Sequence, residues 1–122
     1  MQFPEADFGA GLPIDSIGPG FFRVEGKVLH GPILIHAGGV SGWGGLGDAE
    51  AIAALAGSVD LVFIGTGAGV APLPAPLKHA LAAAGLMFDA MGTGAAARSY
   101  NHMLVEGRRI AAALLPLPEA GA

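Results

Sequence analysis

The 122-residue chain has no cysteine, only six lysines and arginines in total, one tryptophan and one tyrosine. Without cysteine there is no disulfide framework, no thiolate nucleophile and no cysteine-based zinc site, which suits a reducing compartment; the cytoplasm is the expected location. With ten acidic residues the net charge is −4, so no basic stripe collects phosphates and nucleic acid is set aside as a partner. The first residues, MQFPEADFGAG, place Glu5 and Asp7 where a signal peptide carries cations, and no long apolar run follows, so no export signal is expected. The uncharged run from Leu61 to Leu77 is interrupted by Gly65, Gly67, Gly69, Pro72, Pro74 and Pro76. It reads as strand plus loop, with no transmembrane segment.

What is present is apolar: 52% of the residues are hydrophobic, enough at this length for one core without disulfide or metal staples. Ile14 to Ile17 is a weak strand candidate. Phe21 to Val24 and Lys27 to His30 flank Glu25-Gly26, a two-residue hairpin connection, and Ile33 to His36 follows as a further strand. Ala37 to Gly47 reads as a glycine-rich loop around Trp43. Asp48 caps a short helix from Ala49 to Ala56 that Gly57 ends, and Leu61 to Ile64 is a strand. Pro74 or Pro76 opens a helix that stops at Gly85. Phe88 to Ala90 is a strand, Thr93 an N-cap, Ala95 to Glu106 a helix stopped by Gly107, and Ile110 to Leu115 a last strand. Alternating helices and apolar strands predict a single α/β domain over residues 1–122. Its sheet is mixed and mostly parallel, with helices on both faces and an N-terminal antiparallel hairpin portion. Tails over about 1–12 and 119–122 are expected to be loosely held.

At 100° per residue, Ala96, Ala97, Tyr100, Met103 and Leu104 share one face of the last helix; Arg98, Asn101, His102, Val105 and Glu106 share the other. The polar face has two readings. Arg98, His102 and Glu106 are spaced i,i+4 and account for themselves as a solvated, mutually paired face. Alternatively, the free N–H groups at Thr93 and Gly94, with Arg98 just over a turn beyond, hold an anion or a partner's carboxylate. Gly65 to Gly67 and Met91 to Gly94 both follow strands at their carboxyl ends, where open α/β sheets place ligand crevices, and Arg98 is expected to point outward beside the mouth of Gly65 to Gly67. Tight turns packed without a ligand explain the same residues.

Catalytic and cofactor templates fail in detail. A dinucleotide fingerprint at GTGAGV needs glycine where Val70 stands and a helix that opens at once, although Asp89 lies at a suitable distance. Ser41 lacks the closing glycine of a nucleophile elbow, where Trp43 stands instead, and Ser99 is helical. His30, His36, His79 and His102 fall on different elements without metal-ligand spacing. No catalytic residue, metal or cofactor is assigned, and a non-enzymatic role is expected. Trp43 is either an interface anchor or the pin of its own loop.

Several segments also resemble a known family: the GTG at Gly65 to Gly67, the M-x-T at Met91 to Thr93, Ala96, R-S-Y-N at Arg98 to Asn101, E-G-R-R at Glu106 to Arg109 and A-A-L-L-P at Ala112 to Pro116. Together they are similar to the small Mth-type family of unknown function whose mitochondrial member assists assembly of respiratory NADH:ubiquinone oxidoreductase. Ser99 stands where threonine is expected and Asp89 where glutamate is usual. The resemblance covers nearly the whole chain and implies a protein-interaction or assembly-assisting factor. Its partner would be another protein, and a membrane connection would run through that partner. The residues expected to contact a partner or anion are Gly65, Thr66, Gly67, Thr93, Arg98, Asn101 and Glu106, with Trp43 as the possible anchor. The competing class is a small-molecule or anion-binding protein, an enzyme of unknown reaction among its forms, with a crevice at the strands' carboxyl ends.

Overall fold

A computed structural model describes residues 11–119, so the expected loose tails fall almost wholly outside the described residues. Three short strands, β1 (Ser16–Gly18), β2 (Phe21–Val24) and β3 (Lys27–His30), form an antiparallel sheet. Glu25 and Gly26 both take positive φ, 52° and 76°, the left-handed pair that matches a hairpin's twist.

The larger sheet has β4 (Ile33–His36), β5 (Gly39–Gly42), β6 (Leu61–Gly65), β7 (Met87–Met91) and β8 (Ile110–Leu114), in the order β5-β4-β8-β6-β7. β6 runs parallel to β7 and β8, whereas β4 is antiparallel to β5 and β8. The sheet is therefore mixed, as its alternating pattern predicts. The expected loop over 37–47 contains a strand instead: β5 sits at the sheet edge, with Val40 opposite Ile35. Glycine weakens a strand's own preference, and here the partner β4 supplies the register.

The helices are α1 (Ala49–Ala53), α2 (Ala75–Ala83) and α3 (Thr93–Val105). Asp48 caps α1 by accepting from the Ala51 N–H, and α1 stops three residues short of the expected Ala56. Pro74 precedes α2, and Gly85, at φ 74°, follows it.

Side chains of the central strands alternate between two apolar layers. Ile33, Ile35, Phe63, Ile110, Ala112 and Leu114 pack with α3 and with Ile17, Phe22 and Val24 of the small sheet. On the opposite face Leu34, Val62, Ile64, Ala111 and Ala113 pack with Ile52 of α1 and Leu77 and Leu81 of α2. Helices thus cover both faces, and the small sheet shares one of them with α3.

α3 begins at Thr93, two residues before the expected Ala95, and its N-cap is Gly92. It is held on two sides. Tyr100, fully buried, donates from its hydroxyl to the Leu12 carbonyl at 2.7 Å. Asn101 was expected on the outward face, yet it is only 7% exposed. Its Oδ1 accepts from the Ile14 N–H at 2.9 Å and its Nδ2 donates to the Ile14 carbonyl at 2.8 Å. The correction has a simple cause: a chain segment preceding β1 lies against α3, so the helix buries more than the stripe facing the sheet.

Two consequences are measurable. Asn101→Ala leaves both Ile14 backbone groups without these partners in a buried site and should cost about 2–4 kcal/mol in urea unfolding; a cost below about 0.5 kcal/mol would contradict the clamp. Burial also pushes the Tyr100 hydroxyl well above its ordinary range. A raised folded-state pKa contributes stability that is complete below the unfolded value of about 10 and is lost as pH rises further. Tyr100→Phe should therefore remove part of the stability loss seen above about pH 10, and an unchanged alkaline limb would oppose this.

Candidate functional site

The loops after β6 and β7 meet at the carboxyl ends of the parallel strands, and Thr93 joins them. Its Oγ1 accepts from the Gly67 N–H at 2.9 Å and donates to the Leu115 carbonyl at 2.6 Å. Its own N–H donates to the Gly67 carbonyl at 2.8 Å, and the Thr66 N–H donates to Met91 O at 2.9 Å. Thr93 is fully buried. It does not cap its own helix because its hydroxyl is engaged with the two neighbouring strand ends.

The GTG motif follows from this packing. A Cβ at Gly65 would lie 3.0 Å from Thr93 Cα and 2.8 Å from a Leu114 methyl, so the first glycine lets α3 start directly over the strand. Gly67 adopts φ 98°. Thr66 Oγ1 lies 2.7 Å from Gly69 O, to which it donates, and accepts from the Ala71 N–H at 3.0 Å. These bonds shape the turn that carries Val70 outward.

A crevice of about 500 Å³ lies here, lined by Thr66, Gly67, His30, Leu115 and Glu119 among others. Gly65, Thr93, Arg98, Asn101 and Glu106 are not in its lining. The N–H groups of Thr66, Gly67 and Thr93 already have protein acceptors, and Glu119 adds an acid to the wall. These three N–H groups are therefore not available to an anion at this mouth.

The remaining expected residues separate. Arg98 is exposed on α3, about 7.5 Å along the helix from Thr93. Glu106 stands at the far end of α3, with its carboxylate 3.5 Å from His102 Nε2 in an exposed i,i+4 pair that solvent screens. Trp43 is 5% exposed, packs beneath the sheet with Ile52 and Leu77, and donates from Nε1 to the Asp48 carbonyl at 3.0 Å. It pins its own loop and presents almost no surface to a partner.

A pairing missed in the sequence lies at the other end of the sheet. Arg109 donates from Nε and Nη2 to the two carboxylate oxygens of Asp60 at 3.2 and 3.0 Å, and from Nη2 to Gly57 O. The E-G-R-R motif marked the arginine, but its partner is 49 residues away in the chain. No group of three or more potential metal ligands occurs among the described residues.

The architecture defines a small single-domain α/β protein with a mixed sheet. The chain belongs to the family described as a protein of unknown function (DUF498/DUF598), whose model matches residues 14–115. It is 52% identical over 116 residues to an uncharacterized protein of Rhodobacter capsulatus, covering 95% of this chain and 94% of that one. Among solved structures, a Bartonella henselae protein described as an outer membrane protein aligns with TM-score 0.80 and 31% identity, over 88% of this chain and 96% of that chain. A Mth938-like domain of Bordetella pertussis aligns with TM-score 0.76 and 25% identity, over 98% and 94%.

The Thr93 junction makes a direct test. Thr93→Val removes an acceptor and a donor from a buried site and should cost about 1–3 kcal/mol, with faster hydrogen exchange at the Gly67 amide. Thr93→Ser should restore most of both; equal behaviour of the two variants would show that the hydroxyl is not what joins the loops.

Proposed function

We propose that this protein is a non-enzymatic, assembly-assisting factor that binds another protein through the segment over residues 68–76, the loop after β6 and the start of α2. The supporting observation is Val70, 71% exposed on a turn organised by Thr66 Oγ1. Around it Ala68, Gly69, Ala71, Pro72, Pro74, Ala75 and Pro76 are also exposed, and no charged side chain interrupts the run from Leu61 to Leu77. Isolated exposed apolar residues are ordinary, but a continuous uncharged surface on a shaped loop suits a protein contact. Its prolines also reduce the entropy lost on ordering.

The resemblance to the family of the mitochondrial respiratory-complex assembly factor favours the same reading. No helix among the described residues is long and apolar enough to cross a membrane, so a membrane-associated partner would be met from outside the bilayer. We place the protein in the cytoplasm, in keeping with its lack of cysteine. Arg98 extends the proposed contact onto α3; Asn101, being internal, lies outside it.

The test is affinity capture from the native cell with tagged wild type, Val70→Asp and Arg98→Glu. Val70→Asp should reduce recovery of the specifically captured chain at least about tenfold, equivalent to about 1.4 kcal/mol, while its folding stability stays within about 0.5 kcal/mol of wild type. Undiminished capture would reject the loop as the contact. A loss confined to Arg98→Glu would move the contact to the helix.

A further inference from the structure

The amino ends of β6 and β8, opposite the Gly65 to Gly67 loop, hold a second cavity. It measures about 490 Å³, and His36, Gly38, Arg108 and Arg109 contribute to its wall. That volume is within the range of about 300–1,000 Å³ occupied by small-molecule sites. Val59, Leu104 and Ile110 also line it; each is a buried core residue, so the cavity has an apolar floor.

Its rim is cationic in a chain that has few cations. Arg108 and Arg109 are two of only six lysines and arginines in a protein of net charge −4. Asp60 engages Arg109 through both carboxylate oxygens, whereas Arg108 is exposed and has no recorded ion-pair partner among the described residues. The Arg108 side chain is not what answers the Met103 and Leu104 carbonyls. Met103 O accepts from the Glu106 and Arg108 N–H groups, and Leu104 O accepts from the Gly107 N–H.

His36 adds a donor to the wall. Its Nδ1 accepts from the Gly38 N–H at 3.1 Å, so the neutral ring carries its proton on Nε2. A Cβ at Gly38 would lie 2.9 Å from His36 Cε1, which explains why glycine suits this turn.

We propose that this cavity binds a small organic anion, with its carboxylate at Arg108 and His36 Nε2 and its apolar body on Val59, Leu104 and Ile110. Guanidinium and imidazole N–H groups complement a carboxylate, and the floor favours a hydrocarbon tail over a fully hydrated inorganic ion. This site is independent of the protein contact at residues 68–76, which lies at the other end of the strands.

The test is an NMR titration of the full chain with sodium hexanoate, following the Leu104 and Ile110 methyls and the His36 ring. Saturable shifts at all three are expected, weakened at least about tenfold in Arg108→Gln, with the Val70 methyls unmoved. Inorganic phosphate at the same concentrations should bind at least about tenfold more weakly. No saturation by about 20 mM hexanoate, equal binding of phosphate, or undiminished binding by Arg108→Gln would each overturn the proposal. Should Arg108→Gln alter the thermal transition, His36→Gln decides the matter: weakened hexanoate binding supports the site and undiminished binding overturns it.

Discussion

The Thr93 hydroxyl is the point on which the carboxyl end of the sheet depends. One buried oxygen joins the chain leaving β6, through Gly67, to the chain leaving β8, through Leu115, and Thr93 itself follows β7. In a low-dielectric interior the gain from such bonds is modest beside the cost of leaving either partner unmatched. The arrangement consequently needs a residue with one donor and one acceptor at this position. It also needs Gly65, because any Cβ there would meet the backbone of the helix that Thr93 begins. Beside these joined ends, the turn held by Thr66 carries Val70 into solvent.

Much of the frame was legible because it rests on local signals. The apolar run from Ile33 to Ile35, the run from Leu61 and the stops at Gly85 and Gly107 each report nearby backbone or burial requirements, and each lies where the structure uses it, whereas α1 ends at Ala53, before Gly57 is reached. β5 was hidden because glycine carries almost no strand preference; only the register against β4 identifies it. Threonine before an apolar helix usually serves as its cap, which is what the sequence predicts for Thr93. Its actual partners lie 26 and 22 residues away, distances at which sequence spacing conveys nothing.

The expected site dispersed for a related reason. A helical wheel assigns one buried stripe and one wet face, and that division placed Arg98, Asn101 and Glu106 together. α3 contacts both the five-stranded sheet and the segment before β1, so Asn101 turns inward and pairs with both backbone groups of Ile14. Thr93 and Glu106 lie at opposite ends of a helix roughly 20 Å long. The R-S-Y-N motif thus contains two neighbours with clear packing duties, Tyr100 and Asn101, and one exposed residue, Arg98. A recurring motif is as easily explained by anchoring a helix on two sides as by presenting a ligand site.

The polarity of the whole molecule then departs from the usual α/β arrangement. Open parallel sheets favour ligands at their carboxyl ends because helix N-termini and free backbone N–H groups converge there. In this chain the Thr66, Gly67 and Thr93 N–H groups at that end are bonded internally, and Glu119 lines the crevice. At the amino ends, Gly107 turns the chain at φ 75° and the next two residues are both arginine. Backbone N–H groups answer the Met103 and Leu104 carbonyls, and among the described residues Asp60 pairs with Arg109 while Arg108 has no ion-pair partner, so positive charge stands beside His36 over an apolar floor. The same short reversal that ends the helix therefore places an arginine with no ion-pair partner among the described residues at the end of the sheet where the fold rule would not look for it.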